Sequence, residues 1–520
     1  MTVTPVAKLP ARTHAIKLAG ELTKQLPEAE RQGEANFNYL TGAHDVHDAS
    51  VLITFTPGAN NVQHTLFIPP ADPLETMWSV APPTLDDARN RFDAGEYKAT
   101  TDIASALSQL PSDVTIHTLP VTHEFPPLPS AVNEVLQKAK HSSEHLRTAL
   151  HIARLTKTEE EIDLIRKANA ITSGAHEVLM RELGRFAARR AKGAPSSKER
   201  TGHEALTEWE VESEQDAEAL FVATCRRMGA EQAYLPICAS GHHASTLHYV
   251  LFPSTATPRV PGDTSFTPRR MARGCCGDIP DHDHASSTSA LHAGAFEPQI
   301  LLIDAGADWQ GYASDVTRTI PVGNGGKYTD RAGEIYELVL RMQKETEDMV
   351  RVGAHWDTLH LRAHEILIDG FLKLGIMKGD AETILQTGVS AAFMPHGLGH
   401  SLGLDVHDSL QYLRTVHLDL PERTKQTPAK LYTYLRLRQK LQDKMVLTVE
   451  PGCYFAPQML DEHGVWDNQY IDHEVLKKYL PVGGVRIEDV VVVRDGQKCE
   501  NLTTVGRDRT WVEARCSGAE

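Results

Sequence analysis

The chain has 520 residues, of which 41% are apolar and 23% are charged, and its formal net charge is −16. This length predicts two or more domains. The acidic balance argues against nucleic acid as a partner, because a phosphate backbone calls for a basic face. Seven scattered cysteines favour a reducing compartment. With no apolar leader and no run of 18 apolar residues, we expect a cytoplasmic protein that has no membrane partner.

Residues 1–155 are predicted to form an N-terminal α/β domain. Two short β-branched runs, SVLITF at 50–55 and HTLFI at 64–68, are separated by a turn-like segment and predict a hairpin. Two further segments, LDDARNRFDAGEY and SAVNEVLQKAKHSSEHLRTAL, have apolar residues at helical spacing. This mixture of strands and helices indicates a small domain ahead of a larger one.

The larger domain is predicted over residues 156–520. It opens with a capping box, in which Thr158 and Glu161 satisfy each other's backbone N–H groups. Apolar residues then recur at helical spacing and predict the buried face of a long helix, formed by Ile162, Ile165, Ala168 and Ile171. Thr207 with Glu210 predicts a second helix start. The fold class that follows is α+β.

Residues 253–297 are rich in Pro, Gly, Ser and Thr and show no periodicity. Their spacing of potential metal ligands matches no set of paired C-x-x-C motifs. We therefore expect a surface insertion outside the catalytic pocket. The side chains that could bind a metal there are Cys275, Cys276, Asp281, His282, Asp283 and His284.

From residue 300 onward we expect strands to dominate, and four acidic residues are embedded in the apolar runs: Asp304, Asp315, Glu450 and Glu488. Each alone could be structural, since Asp304 could cap a turn and Glu488 could pair with Arg486. If the four carboxylates converge, each pair repels by about 4 kcal/mol at 4 Å and an effective dielectric of 20. Divalent cations remove that repulsion. The pattern therefore predicts a metal site.

A histidine-rich segment, PHGLGHSLGLDVHD at 395–408, lies between these strands. His396 and His400 have the spacing of a zinc helix, but Gly397 stands where that motif needs its general-base Glu. Each glycine also costs a helix about 1 kcal/mol relative to alanine. We therefore expect a loop or extended strand. The residues alone leave open which histidine binds a metal.

Four ordered motifs carry a resemblance to a known family. DAG…YASDVTRT, HGLGHSLGLDVHD, TVEPGCYF and GGVRIED resemble the metal-site motifs of the proline-specific peptidases, aminopeptidase P and prolidase. The resemblance covers about 156–515, with a weaker similarity in NFNYLTGAHDVHDASVLITF to that group's N-terminal domain. Fungal Xaa-Pro aminopeptidases and eukaryotic prolidases resemble the chain most. The resemblance implies a pita-bread catalytic domain behind a smaller α/β domain.

Carried over position by position, the resemblance implies two metal ions. Asp304 would bind one ion, and His400 and Glu450 would bind the other. Asp315 and Glu488 would bridge both ions. Four carboxylates and one imidazole form an oxygen-rich set, which favours Mn²⁺ over Zn²⁺. The resemblance thus selects His400 as the metal-binding histidine.

The same motifs imply a set of substrate residues. His248, His396 and His407 fall on family positions that contact substrate, with His396 and His407 among the catalytic residues. Arg436 and Arg486 match arginines near the substrate end of the site. A guanidinium at Arg436 could grip the free carboxylate of an Xaa-Pro dipeptide, whereas a surface ion pair is the structural alternative.

The implied reaction is hydrolysis of the Xaa-Pro bond by metal-activated water. His407 would stabilise the oxyanion, and Glu450 would carry a proton to the proline nitrogen. Proline-containing peptides would be the substrates, and a homodimer is the family's usual assembly. An Xaa-Pro dipeptidase is the main alternative to an aminopeptidase. A methionine aminopeptidase, a creatinase-like hydrolase and a binding module that has lost catalysis are more remote.

Overall fold

The computed structural model describes residues 11, 13–14, 18, 34–57, 61–78, 80–120, 128–191, 210–247, 249, 300–408 and 419–518. The chain divides into two compact units, Met1–Asp163 with Asp408–Thr415 and Leu164–His407 with Val416–Glu520. The division after Asp163 falls inside the helix Glu159–Ala191, which continues without a break. The domain boundary expected at residue 155 therefore stays a prediction. Every helix among the described residues is too short or too polar to span a bilayer.

The N-terminal unit alternates short strands and helices. Strand β1 (Ser50–Phe55) pairs antiparallel with β2 (Val62–Ile68), β3 (Glu96–Ala99) joins β2 in parallel, and β4 (Thr115–His117) pairs in parallel with β5 (Lys140–Ser142). The predicted hairpin is therefore confirmed. The elements in chain order are α1 Glu34–Thr41, β1 Ser50–Phe55, β2 Val62–Ile68, α2 Leu85–Arg91, β3 Glu96–Ala99, α3 Ile103–Ser108, β4 Thr115–His117, α4 Ser130–Leu136, β5 Lys140–Ser142 and α5 Leu146–Leu155.

One element of this unit was predicted wrongly. The segment SAVNEVLQKAKHSSEHLRTAL contains two helices, α4 and α5, with β5 between them. The edge of β4 supplies backbone partners for β5, so tertiary pairing overrides the helical spacing over Lys140–Ser142. Leu66, Ile68, Ala88 and Phe92 form the core between the sheet and α2.

The C-terminal unit has long helices around several small sheets. The elements in chain order are α6 Glu159–Ala191, α7 Glu214–Arg227, β6 Glu231–Gln232, β7 Ile237–Ser240, β8 Ile300–Ala305, β9 Ala307–Trp309, β10 Tyr312–Ala313, β11 Val316–Pro321, α8 Asp330–Glu347, α9 Trp356–Lys373, α10 Ala381–Thr387, α11 Glu422–Lys425, β12 Val446–Val449, β13 Gly452–Tyr454, α12 Pro457–Glu462, α13 His473–Leu476, β14 Gly484–Arg486, β15 Asp489–Val492, β16 Glu500–Asn501 and α14 Arg509–Cys516.

The predicted helix α6 is confirmed at its start. Thr158 N–H donates to Glu161 Oε2 at 2.8 Å, and Glu161 N–H donates to Thr158 Oγ1 at 3.3 Å. The predicted apolar face is fully buried: Ile162, Ile165, Ala168 and Ile171. Helix α7 begins at Glu214 with Ser213 as its N-cap, and the second predicted start, at Thr207, stays a prediction. Thr207 itself lies outside the described residues.

We predicted that strands dominate from residue 300 onward, and this was wrong between β11 and β12, where the chain forms helices. Helices α8 and α9 have 18 residues each and are followed by α10. Thr329 caps α8 by accepting a hydrogen bond from the N–H of Ala332. Buried Ile335, Val339 and Met342 recur at helical spacing and give α8 a core-facing side.

The sheets bring the predicted acidic residues towards one another. Strand β8 lies between β11 and β7, and β15 lies between β12 and β16. Backbone N–H of Glu488, just before β15, donates to the carbonyl of Thr317 in β11 at 3.1 Å. This bond joins the two sheets beside the acidic positions.

Candidate metal centre

Two aspartates meet where β8 and β11 pair. Asp304 in β8 lies opposite Thr317, and Asp315 immediately precedes β11. The hydroxyl of Tyr234 lies 2.5 Å from Asp304 Oδ1 and 2.5 Å from Asp315 Oδ1. The two carboxylates therefore share one partner and form one wall of the site.

Glu488 adds a third carboxylate from the turn between β14 and β15. Its side chain is buried, and Thr317 Oγ1 donates to its Oε2 at 2.6 Å. The other oxygen, Oε1, is buried and has no hydrogen-bond partner among the described residues. A buried carboxylate oxygen in this state is costly unless a cation or proton compensates it.

His400 faces the carboxylates from the loop at 395–408. Its Nδ1–H donates to the carbonyl of Ser401 at 3.1 Å, which leaves the Nε2 lone pair free to bind a metal. Nε2 lies 3.4 Å from Asp315 Oδ2 and 3.5 Å from Glu450 Oε1. The histidine is thus held in the tautomer that a metal ligand needs.

The loop that carries His400 is not helical, as predicted. It contacts β12, the strand before Glu450, through an isolated antiparallel β-bridge between Ser401 and Leu447. A Cβ on Gly399 would lie 2.0 Å from the carbonyl oxygen of Thr448, so only glycine permits this approach. Thr448 Oγ1 also accepts the backbone N–H of His400 at 3.1 Å. The glycines therefore bring His400 beside Glu450.

The donor set suits a divalent cation. One ligand atom each from Asp315, His400 and Glu488 lies within 4.8 Å of the others. Burial raises the pKa of the Asp315 and Glu488 carboxyls well above their usual range, and neighbouring carboxylates add to the effect. Burial also raises the pKa of Glu450. Acids that resist ionisation in this way are stabilised as anions by a bound cation.

Arg486 contacts this cluster from β14. Its Nη2 donates to Asp304 Oδ2 at 2.6 Å, and its Nη1 donates to the Tyr454 hydroxyl at 2.9 Å. Its Nε donates to Thr317 Oγ1 at 3.0 Å. Only 4% of the residue is exposed. The structure therefore places Arg486 against a predicted ligand, and its contact with substrate stays a prediction.

His396 lies beside the same tyrosine. The Nδ1–H of His396 donates to the carbonyl of Gly397 at 2.8 Å, so its Nε2 accepts the hydroxyl hydrogen of Tyr454 at 2.8 Å. Nδ1 also lies 3.9 Å from Glu450 Oε2. Burial lowers the pKa of His396 to about 3, which keeps the imidazole neutral. Arg486, Tyr454 and His396 therefore form a continuous chain of hydrogen bonds.

His407 packs against His400 and contacts Arg436. The rings of His400 and His407 are perpendicular, with centroids 4.3 Å apart. Arg436 Nη1 contacts His407 Nε2 at 2.5 Å. The predicted substrate residue His248 lies outside the described residues, as does the segment 253–297 with its cysteine and histidine cluster.

Sequence reasoning missed several residues of the site. Thr317 and Thr448 each lie two residues from a predicted ligand, Asp315 and Glu450 respectively, and alternation along a strand puts such pairs on one face. That spacing was an available signal. Tyr234 precedes β7 in AYLPICAS, outside any apolar alternation, and the sequence alone offered no signal for it.

Comparison with known proteins decides the family. Residues 163–495 match the family model of metallopeptidase family M24. The chain belongs to metallopeptidase family M24. Residues 29–117 match the N-terminal domain of aminopeptidase P. The predicted resemblance is confirmed, and membership of M24 implies that the chain binds divalent metal.

Two curated relatives of this M24 chain come from fungi. The probable Xaa-Pro aminopeptidase pepP of Metarhizium robertsii is 36% identical over 97% of this chain and 92% of its own length. The probable Xaa-Pro aminopeptidase PEPP of Podospora anserina is 33% identical over 97% of this chain and 93% of its own length. Both matches span nearly the whole of each protein.

Solved structures agree on the fold. Zinc-substituted Escherichia coli aminopeptidase P in complex with product has a TM-score of 0.67 at 24% identity, covering 99% of this chain and 100% of that one. Proline aminopeptidase P II from Yersinia pestis has a TM-score of 0.67 at 23% identity, covering 98% and 99%. At these identities the likeness concerns the fold alone. The predicted α+β class, with a small domain before the metallopeptidase domain, is confirmed.

Proposed function

We propose that this chain is an Xaa-Pro aminopeptidase, which removes the N-terminal residue from peptides with proline in second position. The observation that carries the proposal is the convergence of Asp315, His400 and Glu488 in an M24 chain with full-length fungal Xaa-Pro aminopeptidase relatives. The chain retains every acid and histidine of the predicted ligand set. A binding module that had lost catalysis would be expected to lack part of that set.

The proposed ligands are Asp304, Asp315, His400, Glu450 and Glu488, which would hold two ions. The oxygen-rich set supports Mn²⁺ as the working metal. Divalent cations in such a site lower the pKa of water and polarise a carbonyl group. The orphaned Oε1 of Glu488 and the Nε2 lone pair of His400 are two donor positions that fit this use.

The remaining residues have roles in orientation and proton transfer. His407 is the proposed hydrogen-bond donor to the oxyanion. Glu450, whose pKa is raised by burial, is the proposed carrier of the proton to the departing proline nitrogen. His396 orients the substrate beside Tyr454. Arg436 and His248 complete the proposed substrate contacts, and Arg486 would act beside Asp304.

Hydrolysis of matched peptides tests the function. Purified protein is stripped of metal, reloaded with Mn²⁺ or Zn²⁺, and given Ala-Pro-Ala, Ala-Ala-Ala, Met-Ala-Ala and the dipeptide Ala-Pro. We expect release of alanine from Ala-Pro-Ala and none from Ala-Ala-Ala. Cleavage of Met-Ala-Ala alone would make the chain a methionine aminopeptidase, and cleavage of Ala-Pro alone would make it a dipeptidase.

Three further statements belong to the same proposal. The domain boundary lies near residue 155, where α5 ends and the capping box of α6 begins. The chain acts in the cytoplasm, which fits its few scattered cysteines. It assembles as a homodimer, and light scattering of the metal-loaded protein measures its mass directly.

A further inference from the structure

Tyr234 is a half-buried tyrosine whose hydroxyl contacts two acids at once. It lies 2.5 Å from Asp304 Oδ1 in β8 and 2.5 Å from Asp315 Oδ1 before β11. A phenolic oxygen has one hydrogen to donate and lone pairs to accept with. Its hydrogen can go to only one carboxylate, so in the metal-free site the other acid bonds to the phenolic oxygen as a protonated donor.

The position of Tyr234 is set by the backbone around it. Gln232 in β6 pairs with Ala307 in β9, and the N–H of Ala233 donates to the carbonyl of Gly306 at 2.9 Å. A Cβ on Gly306 would lie 3.1 Å from Tyr234 Cε1. The ring is thus packed against a glycine by a paired strand, and its hydroxyl is held at a fixed place between the acids.

Two buried tyrosines of this unit, Tyr328 and Tyr336, donate to backbone carbonyls. The hydroxyl of Tyr328 donates to the carbonyl of Thr319 at 2.6 Å, and that of Tyr336 donates to the carbonyl of Arg507 at 2.7 Å. A bond to a backbone carbonyl satisfies the donor of a buried hydroxyl. The hydroxyl of Tyr234 differs from these two because both of its partners are carboxyl groups.

We propose that Tyr234 is a positioning residue, which holds the carboxylates of Asp304 and Asp315 at a separation suited to a divalent cation. This inference rests on the metal site of the proposed function. Residues that orient ligands without touching the metal typically change its affinity by about 10–100-fold. Removing the hydroxyl lets the two carboxylates move apart, so the site must be reassembled when the cation binds.

Tyr234→Phe tests the inference, with Tyr328→Phe as the control, which removes a buried hydroxyl that donates to the carbonyl of Thr319 and not to an acid. Titration calorimetry of metal-free protein with Mn²⁺ should give a Kd about 10–100-fold higher for Tyr234→Phe and a nearly unchanged Kd for Tyr328→Phe. Thermal unfolding of the metal-free proteins checks that both variants fold. At saturating Mn²⁺, the kcat/KM of Tyr234→Phe should return to near the wild-type value.

The measurements separate this inference from the function. An unchanged Kd for Tyr234→Phe, or an equal rise for Tyr328→Phe, would overturn the inference even if the enzyme cleaves Xaa-Pro peptides. Wild-type protein that binds Mn²⁺ and cleaves no such peptide would overturn the function alone. The Kd readout still decides the role of Tyr234 in that case.

Discussion

Arg436 donates a hydrogen bond from Nη1 to Nε2 of His407, with 2.5 Å between the two nitrogens. A guanidinium has no acceptor, so the imidazole nitrogen must be the unprotonated one. His407 is therefore neutral and carries its proton on Nδ1. The ring of His407 packs at a right angle on that of His400, so Arg436 contacts a residue that lies beside a predicted ligand.

Arg436→Ala should lower kcat/KM more for dipeptides than for longer peptides. If Arg436 grips the free carboxylate of Xaa-Pro, the loss on a dipeptide is about 1.5–3 kcal/mol, the contribution of a hydrogen bond to a charged group. Ala-Pro and Ala-Pro-Ala are compared under the same metal loading. Loss of the contact with His407 affects both substrates alike, so the difference between them isolates the carboxylate.

Arg436→Lys is the control for that experiment. Lysine keeps the positive charge and loses the planar pair of donors. It should retain part of the dipeptide activity that alanine loses. Equal losses on both peptide lengths would show that Arg436 acts through His407 only, and the carboxylate role would then be abandoned.

His400→Ala and His396→Ala should have different effects on metal binding. His400 presents Nε2 to Asp315 and Glu450, so its removal should abolish one Mn²⁺ per chain at stoichiometric loading. His396 bonds to Tyr454 and should leave metal content unchanged while kcat falls about 100-fold or more. Atomic absorption of dialysed protein gives the metal content. Equal metal loss in both variants would contradict the assignment of His400 over His396.

Much of the site could be predicted because its ligands follow apolar strands. Asp304 ends LLID, and Glu488 interrupts VRIEDVVVV, so each carboxylate had to be buried and compensated. Convergence itself required the family resemblance, because one chain gives no distance between β8 and the turn before β15. Tyr234 was not predicted for the same reason, because its partners Asp304 and Asp315 lie far from it along the chain.

The errors in the fold have physical causes. Helical spacing over residues 130–150 was real, but strand β4 offered a partner to Lys140–Ser142 and split the helix. Helix α8 has an N-cap and apolar residues at helical spacing, so the sequence of this region contained a helix signal among the strand-rich motifs. The bond from Arg486 to Asp304 was not predicted either, because the sequence gives no distance between β14 and β8.

Asp408→Ala should strongly destabilise the N-terminal unit. Asp408 accepts hydrogen bonds from Arg154 at 2.5 Å and from Lys157 at 2.9 Å, and all three residues are buried. Its loss removes the carboxylate that two buried cations share, and the expected cost is about 3–5 kcal/mol of unfolding free energy. Urea unfolding followed by circular dichroism measures it. Glu96→Ala breaks the exposed pair with Lys98 in the same unit and should cost less than about 1 kcal/mol.

The pH dependence of that effect has a definite sign. Burial alone would raise the pKa of Asp408, but the charges of Arg154 and Lys157 outweigh it and lower the pKa below its usual value. A lowered pKa contributes stability above the unfolded value of about 3.9, and this is lost as the pH falls through the folded value. The difference in unfolding free energy between wild type and Asp408→Ala should therefore be constant near neutral pH and should shrink only in strong acid. A cost under about 1 kcal/mol at pH 7 would show that the network is dispensable.

His360 should make the C-terminal unit sensitive to mild acid. The ring is fully buried in α9, its Nε2–H donates to the carbonyl of Leu431 at 2.6 Å, and its ring meets that of His364 edge-on. Burial lowers the pKa of His360 to about 4 from an ordinary value near 6.5. Between these values the unfolded chain binds a proton that the folded chain does not. Stability therefore falls as the pH drops from 6.5 to 4.

A shift of this size corresponds to about 3 kcal/mol, since each pKa unit is worth about 1.4 kcal/mol. His360→Gln keeps a side-chain donor and removes the titrating group. Between pH 6.5 and 4 the unfolding free energy of the variant should therefore fall by about 3 kcal/mol less than that of wild type. His44→Gln, at an exposed position of the N-terminal unit, is the control and should follow the wild-type curve. Urea unfolding at half-unit pH steps gives the slopes. Parallel curves for wild type and His360→Gln would mean that His360 does not stay neutral in the folded protein, and the acid sensitivity would have to come from other buried histidines such as His364, whose pKa burial also lowers.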